Sequence, residues 1–293
     1  MQKKRKKENI TAWLFVLPMV IIMLGLIFYP FMKAILMSVS NWRVGSGFQG
    51  FVGLDNYIAV AKNQLFKKAF VNTLIWAFAS VVVKLGLGMI LALLLNQKFR
   101  GSKLVRGLVL VPWIIPSTIS SLVWVWMFND LGGVFNEILM ALHIIRRPVA
   151  WLGSAGLARF SVISVNIWRG TPYFAITLLA GLKNIPRDRY EAASIDGANR
   201  FSSFLHITLP GLRHVLFISI LLESIWAIGD FSIVYKMTKG GPAGATHLLS
   251  TLTYEFGFLS GDLGQAVAVS LIVLPVLALM ILGVTRAMEK EVE

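Results

Sequence analysis

The chain contains no cysteine, so structural disulfides, thiolate metal ligands and cysteine nucleophiles are excluded and the redox compartment stays open. Charge is also scarce. Only 14% of the 293 residues are charged, against about 25% in a typical soluble domain. The four histidines (His143, His206, His214 and His247) are scattered, and neither His-Glu-x-x-His nor Gly-x-Ser-x-Gly occurs. His206 and His214 flank the turn at Pro210 and suit interfacial loop positions better than ligand roles. No Gly-x-x-x-x-Gly-Lys-[Ser/Thr] loop is present to cradle phosphates, and Gly101-Ser102-Lys103 is only a fragment of one. No cofactor or metal site and no catalytic constellation is therefore expected in this chain.

What the chain has in abundance is apolar surface, at 56% of residues with a mean hydropathy of +0.72. A helix needs about 20 mostly apolar residues to cross the hydrocarbon core. Six runs meet that length, at roughly 12–37, 69–95, 107–128, 159–182, 214–235 and 264–286. None reads as an amphipathic helix with one polar face, which a soluble bundle would need. The expectation is an all-α membrane protein with six transmembrane helices. The N-terminal KKRKK before an apolar run resembles a signal peptide, but that run is too long and no clear cleavage site follows. It is read as an uncleaved first helix.

The net charge of +14 is dispersed through loops rather than gathered on one face, which suits anionic inner-leaflet lipid better than nucleic acid. Lysine and arginine in short loops mark the cytoplasmic side. The N-terminal tail (Lys3, Lys4, Arg5, Lys6, Lys7), the second connection (Lys98, Arg100, Lys103, Arg106), the fourth (Lys183, Arg187, Arg189, Arg200, Arg213) and the C-terminal tail (Arg286, Lys290) together hold 16. The opposite side holds nine: Arg43, Lys62, Lys67, Lys68, Arg146, Arg147, Arg159, Lys236 and Lys239. Both termini are expected in the cytoplasm. Loops on the outer side are about 30 residues or shorter, too small for a folded receptor domain.

Four charges fall within the runs more than four residues from either end: Lys84, Arg169, Glu223 and Asp230. Each costs about 2.5–3.5 kcal/mol at the centre of a spanning helix, so all four should face the bundle interior or water. Depth counting places Arg169 and Glu223 near the midplane, which predicts that they pair with each other or line a solute path; an ion pair fixing helix packing is the alternative. Trp168-Arg169-Gly170-Thr171-Pro172 also puts glycine and proline inside a span. Such interruptions are tolerated only against protein or water and tend to border midplane sites. The aromatic residues Trp168, Tyr173 and Trp226 are further candidates for the path. Gly88 and Ala92 form a small-xxx-small pair suited to helix packing.

Between the fourth and fifth runs lies EAASIDGANRFSSFLHITLP, residues 191–210. Pro186 suits a helix start and Asp188 the positive end of the helix dipole. Ala192 and Ala193 allow a partner to approach closely. Gly197 reads as a bend or stop, and Pro210 should turn Leu209 away from helical angles. The spacing Glu-Ala-Ala, three residues, Gly, nine residues, Ile-x-Leu-Pro resembles the EAA signature of permease subunits of type I ATP-binding-cassette importers.

That resemblance implies a cytoplasmic hairpin at 183–213, in which Glu191, Ala192, Ala193, Asp196, Gly197, Ile207, Leu209 and Pro210 dock onto a separate ATPase. FVGLDNYIAV, LLLNQKFRG, LVPW and WRGTPYFAITLLAGLKNIPRDRYEAASIDGA are similar to carbohydrate-uptake permeases, and MTKGGPAGATHLLSTLTYEFGF resembles the maltose-permease-F-like partner of such pairs. Two positions depart from the pattern: Lys84 stands where an uncharged residue is usual, and His214 follows Arg213 where proline is frequent. The implied organisation is an N-terminal helix with its external loop (1–68), a five-helix core (69–287) and a short cytoplasmic tail (288–293). The implied function is import of a sugar or oligosaccharide across a prokaryotic inner membrane. The implied partners are a second permease, two ATPase subunits that bind the ATP and magnesium, and an extracytoplasmic solute-binding protein. An ATP-independent secondary transporter or channel is the alternative. A membrane-embedded enzyme fits less well, because the polar residues are dispersed.

The charge asymmetry makes the orientation testable. Cysteines introduced at Ser46 and Ser102 should react from opposite sides, Ser46 with an impermeant reagent in intact cells and Ser102 only after the membrane is opened. Labelling of Ser102 in intact cells would reverse the orientation.

Overall fold

The computed structural model describes the backbone of residues 2–289 and the side chains of residues 13–288. Residues 290–293 of the expected tail, with Lys290, and the side chains of the N-terminal basic cluster lie outside that description. Among the described residues the chain is helical apart from loops and one small hairpin, which the all-α expectation missed.

In chain order come α1 (Gln2–Met23), a π-turn (Leu24–Phe28), α2 (Tyr29–Ser38), β1 (Ser40–Arg43), β2 (Gly47–Phe51) and α3 (Asp55–Lys62). There follow α4 (Gln64–Asn96), α5 (Ser102–Ile114), α6 (Ser117–Met127), α7 (Val134–Ala141), α8 (Ala155–Asn184), α9 (Arg187–Ile195) and α10 (Arg200–Ser203). After a second π-turn (Phe204–Thr208) come α11 (Leu209–Gly229), α12 (Ser232–Thr238), α13 (Leu249–Tyr254), a third π-turn (Glu255–Leu259) and α14 (Leu263–Glu289).

Among the described residues four helical stretches are long and apolar enough to cross a membrane: Trp13–Ser38, Gln64–Asn96, Arg200–Thr238 and Leu263–Met288. The pair α5 and α6 makes a fifth if counted as one span, but it bends by 88°. The bend was not expected within 107–128. Its cause is Pro116, which forces Ile115 into an extended conformation (φ −65°, ψ 131°) and removes a helical donor. The remaining expected run, 159–182, lies inside α8. That helix rises about 45 Å over its 30 residues, yet it is too polar to qualify on composition. The reason is its position. It packs against α4, α5, α11 and α12, and it buries Asn166, Gly170, Thr171 and Pro172 among its apolar residues. A helix enclosed by other helices has no need of a lipid-compatible surface all round.

Two prolines inside long helical stretches act by one device. Tyr29 N–H bonds the Leu24 carbonyl and Leu209 N–H the Phe204 carbonyl, each five residues back. In both cases proline follows at the next residue, Pro30 or Pro210, so the widened turn lies where proline disrupts the regular ladder. Pro210 was expected to redirect the chain. Instead Leu209 is helical (φ −65°, ψ −46°) and the helix continues through it.

The chain divides into two compact units, Met1–Asn63 with Thr253–Ile272, and Gln64–Leu252 with Val273–Glu293. In the first, Asn56 Nδ2 donates to the carbonyls of Ser38 (2.8 Å) and Ser40 (2.9 Å), tying α2 and the hairpin to α3. Arg43 pairs with Asp262 at 3.9 Å.

In the second unit the tight contact is between α4 and α8. Gly88 has no room for a side chain: a Cβ there would sit 2.4 Å from Phe174 Cβ. Ala92, one turn on, is fully buried, as are Phe174 and Leu178 opposite. A further cluster gathers Trp76, Val165, Ile233, Val234 and Leu248, with Phe128 and Phe135 stacked at 4.8 Å beside it. Side chains facing outward, such as Phe78, are large and apolar, as lipid contact requires.

Replacing Gly88 by alanine should therefore force α4 and α8 apart and cost about 1–3 kcal/mol. The detergent-solubilised protein should lose several degrees of melting temperature. Gly86→Ala, where a Cβ would meet nothing within 4 Å, serves as the control and should hold or raise it.

Candidate functional site: a charged cavity within the helical bundle

A cavity of about 440 Å³ opens among α4, α5, α6, α8 and α11. Its lining includes Lys84, Asn166, Arg169, Glu223 and Asp230, with Trp113, Ile114, Ser117, Gly170, Trp226 and Ala227. Five of the seven path candidates from the sequence are thus brought together here: Lys84, Arg169, Glu223, Trp226 and Asp230.

At its base Lys84 is 1% exposed and donates from Nζ to Glu223 Oε1 (2.5 Å) and Asn166 Oδ1 (2.7 Å). Asn166 Nδ2 passes the chain on to Ser80 Oγ at 3.0 Å. Gly170 makes this possible. A Cβ on it would lie 2.5 Å from Lys84 Cε and 2.7 Å from Nζ, so the glycine is the space the lysine occupies. A lone ammonium in this setting is costly; the carboxylate and the amide oxygen together offset that cost.

The expected pair of Arg169 with Glu223 is not formed. Glu223 pairs with Lys84, while Arg169 forms no ion pair among the described residues and its Nε is buried without a hydrogen-bond partner there. Depth along the axis had matched the two residues, but azimuth decides contact: Lys84 projects from α4 directly toward α11. Arg169 is left as a donor at the cavity. Asp230 lies at the C-terminal end of α11, where its carbonyl accepts from Ser250 Oγ at 2.5 Å.

Trp168 and Tyr173 do not line the cavity. Trp168, one residue from Arg169 and so on another face of α8, packs edge-on against Trp124 (5.3 Å) and borders a separate apolar groove. Tyr173 stands behind the lining, with its ring 5.1 Å from Trp226 and 6.4 Å from Trp113. The helix interruption expected at 168–172 is also absent, since α8 runs unbroken through Pro172. The interruption lies instead at Ile115–Pro116, and it brings Trp113, Ile114 and Ser117 to the cavity wall. Pro112 and Pro116 inside one apolar run were the legible signal for it. Asn166, a polar residue one helical turn before Arg169 and Gly170, was the signal for the ion-pair network.

The 191–210 segment forms its own structure. α9 ends in a left-handed glycine, Gly197 (φ +80°); Ala198 N–H bonds the Ala193 carbonyl (2.9 Å) and Gly197 N–H that of Ser194 (3.2 Å). These two bonds close the helix end in a Schellman motif, which glycine at that position allows. Asn199 then caps α10 by accepting from Ser202 N–H at 2.8 Å. Tyr190 Oη and Thr208 Oγ1, 2.9 Å apart, join the two arms. Glu191, Ala192, Asp196, Gly197, Leu209 and Pro210 are exposed, while Ala193 and Ile207 are partly buried. Ile195 and Phe201 add apolar surface, at 87% and 70% exposed.

Residues 84–291 match the family described as binding-protein-dependent transport system inner membrane component. The chain is 38% identical over 270 residues to the trehalose/maltose transport system permease protein MalF of Thermococcus litoralis, covering 92% of this chain and 90% of the relative. It is 32% identical over 292 residues to the lactose transport system permease protein LacF of Rhizobium radiobacter, covering 98% and 97%. In fold it resembles a chain of a bacterial ABC transporter involved in import of the acidic polysaccharide alginate, with a TM-score of 0.86, 22% identity and 99% and 98% coverage.

The ion pair gives a direct test. Lys84→Ala leaves Glu223 buried alone and should cost about 3–5 kcal/mol, as should Glu223→Ala. The paired variant Lys84→Met/Glu223→Gln should melt well above either. A double-mutant cycle on Arg169 and Glu223 should be additive within about 0.5 kcal/mol.

Proposed function

The chain belongs to the family of binding-protein-dependent transport system inner membrane components, and on that premise we propose that it supplies half the pathway of an ATP-binding-cassette importer for a carbohydrate. The observation that carries this is the likeness over nearly the whole chain to relatives named for trehalose/maltose and lactose transport. The chain is a multi-pass inner-membrane permease. In the finer reading α8 is the sixth span, its polar residues turned inward, and both termini and the 183–213 hairpin are cytoplasmic. Residues 1–68 are an N-terminal addition, 69–287 the translocation core and 288–293 the tail.

The importer comprises a second, similar permease, two ATPase subunits and an extracytoplasmic solute-binding protein. ATP and magnesium are bound by the ATPases, and this chain needs no cofactor. The cavity is this chain's share of the path. Lys84 and Glu223 neutralise each other, which suits an uncharged solute. Arg169 and Asp230 offer a donor and an acceptor to hydroxyl groups, and Trp226 offers an aromatic face for a sugar ring. Trp168 and Tyr173 support this wall from behind rather than touching solute.

The hairpin is the coupling element. An exposed apolar surface at Ile195 and Phe201, set beside Glu191, Ala192 and the tight Gly197 stop, suits a protein partner outside the bilayer. Closure of the ATPase dimer on ATP moves the hairpin as a rigid body and with it the spans, alternating access to the cavity.

Gly197→Asp tests the coupling. The change strains a left-handed position and puts a charge at the contact, while leaving the spans untouched. Membrane insertion should proceed and uptake should fall to background. The purified complex should either lose ATPase subunit or hydrolyse ATP without stimulation by the loaded binding protein. Normal uptake and stimulation would exclude the docking role. Failure of the native chain to copurify with a coexpressed ATPase would favour an ATP-independent transporter.

A further inference from the structure

A second cavity, of about 540 Å³, lies where α4 and α8 begin, and it is enclosed on one side by the loop Pro242–Ala245. Lys67, Lys68 and Arg159 line it, and no acidic residue does. None of the three forms an ion pair among the described residues, whose two salt bridges lie elsewhere. Their polar contacts are to neutral oxygens. Lys68 Nζ donates to the Ala243 carbonyl at 3.4 Å, Arg159 Nε to the Ala245 carbonyl at 3.4 Å, and Arg159 Nη2 to Asn72 Oδ1 at 3.2 Å. Lys67 and Lys68 are exposed.

The backbone adds to the same sign. α4 and α8 both present their first turns here, and neither carries an acidic residue in that turn, unlike α3 with Asp55 and α9 with Asp188. The positive ends of two helix dipoles therefore add to three side-chain cations with no internal counter-charge. Asn72 Nδ2 fixes the far wall by donating to the carbonyls of Gly244 and His247, each at 3.1 Å. The result is a preformed, walled, positive recess rather than a loose basic tail.

We propose that this recess is a docking socket for an acidic side chain, or a short acidic patch, of the solute-binding protein. The inference rests on the importer reading and on the orientation that puts the start of α4 outside. On that side the binding protein is the partner of the system, and electrostatic complementarity would speed its encounter and fix its register.

The test uses the assembled importer in lipid nanodiscs and its purified, solute-loaded binding protein. Lys67→Glu/Lys68→Glu should raise the half-saturating binding-protein concentration for ATPase stimulation about tenfold or more. The maximal rate should hold, and the salt dependence of the half-saturation should flatten. Lys67→Gln/Lys68→Gln should give an intermediate shift, and a compensating Glu→Lys or Asp→Lys change on the binding protein should restore affinity to the Glu variant. A titration identical to the native one would overturn the socket while leaving the importer reading intact. Absence of stimulation even in the native complex would instead count against that reading. A shift seen only in nanodiscs of anionic lipid, and not in zwitterionic ones, would assign the recess to a lipid headgroup and overturn the proposal. Labelling of Lys67→Cys only from the cytoplasmic side would overturn it together with the orientation.

Discussion

The second unit depends on how closely α4 and α8 approach. Gly88 admits Phe174 against bare backbone, and Gly170 admits the Lys84 side chain. In lipid, apolar surface gains little by burial against another helix, so close packing and internal hydrogen bonds supply much of the attraction. Two glycines on opposite helices therefore do more than fill space. One sets the interhelical distance, and the other sets where an ammonium group is held.

The charged network follows from that distance. Lys84, Asn166, Glu223 and Ser80 form one connected set across α4, α8 and α11. A lysine here is tolerable because the carboxylate of α11 and the amide of α8 reach it together. The same arrangement leaves Arg169 outside that ion pair, at the cavity beside Asp230. The ion pair and the cavity wall are thus two sides of one packing solution. Glu223 and Gly170 are the residues that accommodate Lys84 in this chain.

Proline acts in two ways along the chain. At Pro30 and Pro210, inside long helical stretches, a π-turn just before the proline absorbs it and the helix goes on. Where Pro116 follows Ile115 no such turn forms, the helix breaks by 88°, and side chains next to the break reach the cavity. Pro172, buried inside α8, does neither. Residue type alone did not separate these outcomes, because each depends on what surrounds the freed carbonyl groups.

By itself the sequence determined the membrane class, the approximate position of each apolar helix and the hairpin with its glycine stop. These rest on local quantities: hydropathy over about 20 residues, and the backbone preferences of Gly197 and Asn199. Four of the seven path candidates, Lys84, Arg169, Glu223 and Asp230, were legible for a similar reason, since charge inside an apolar run must turn inward whatever the partner. Only the tertiary structure decided which charges meet. Depth counting supplies one coordinate along a helix, whereas pairing needs the rotation of each helix and the distance between them. Hence Glu223 was matched with Arg169 in sequence but meets Lys84 in the fold, Trp168 turned to another face, and the polar helix α8 took the enclosed position. Rotation and distance follow from packing between residues about 80 to 140 positions apart, such as Lys84 with Asn166 and Glu223, and no local pattern encodes them.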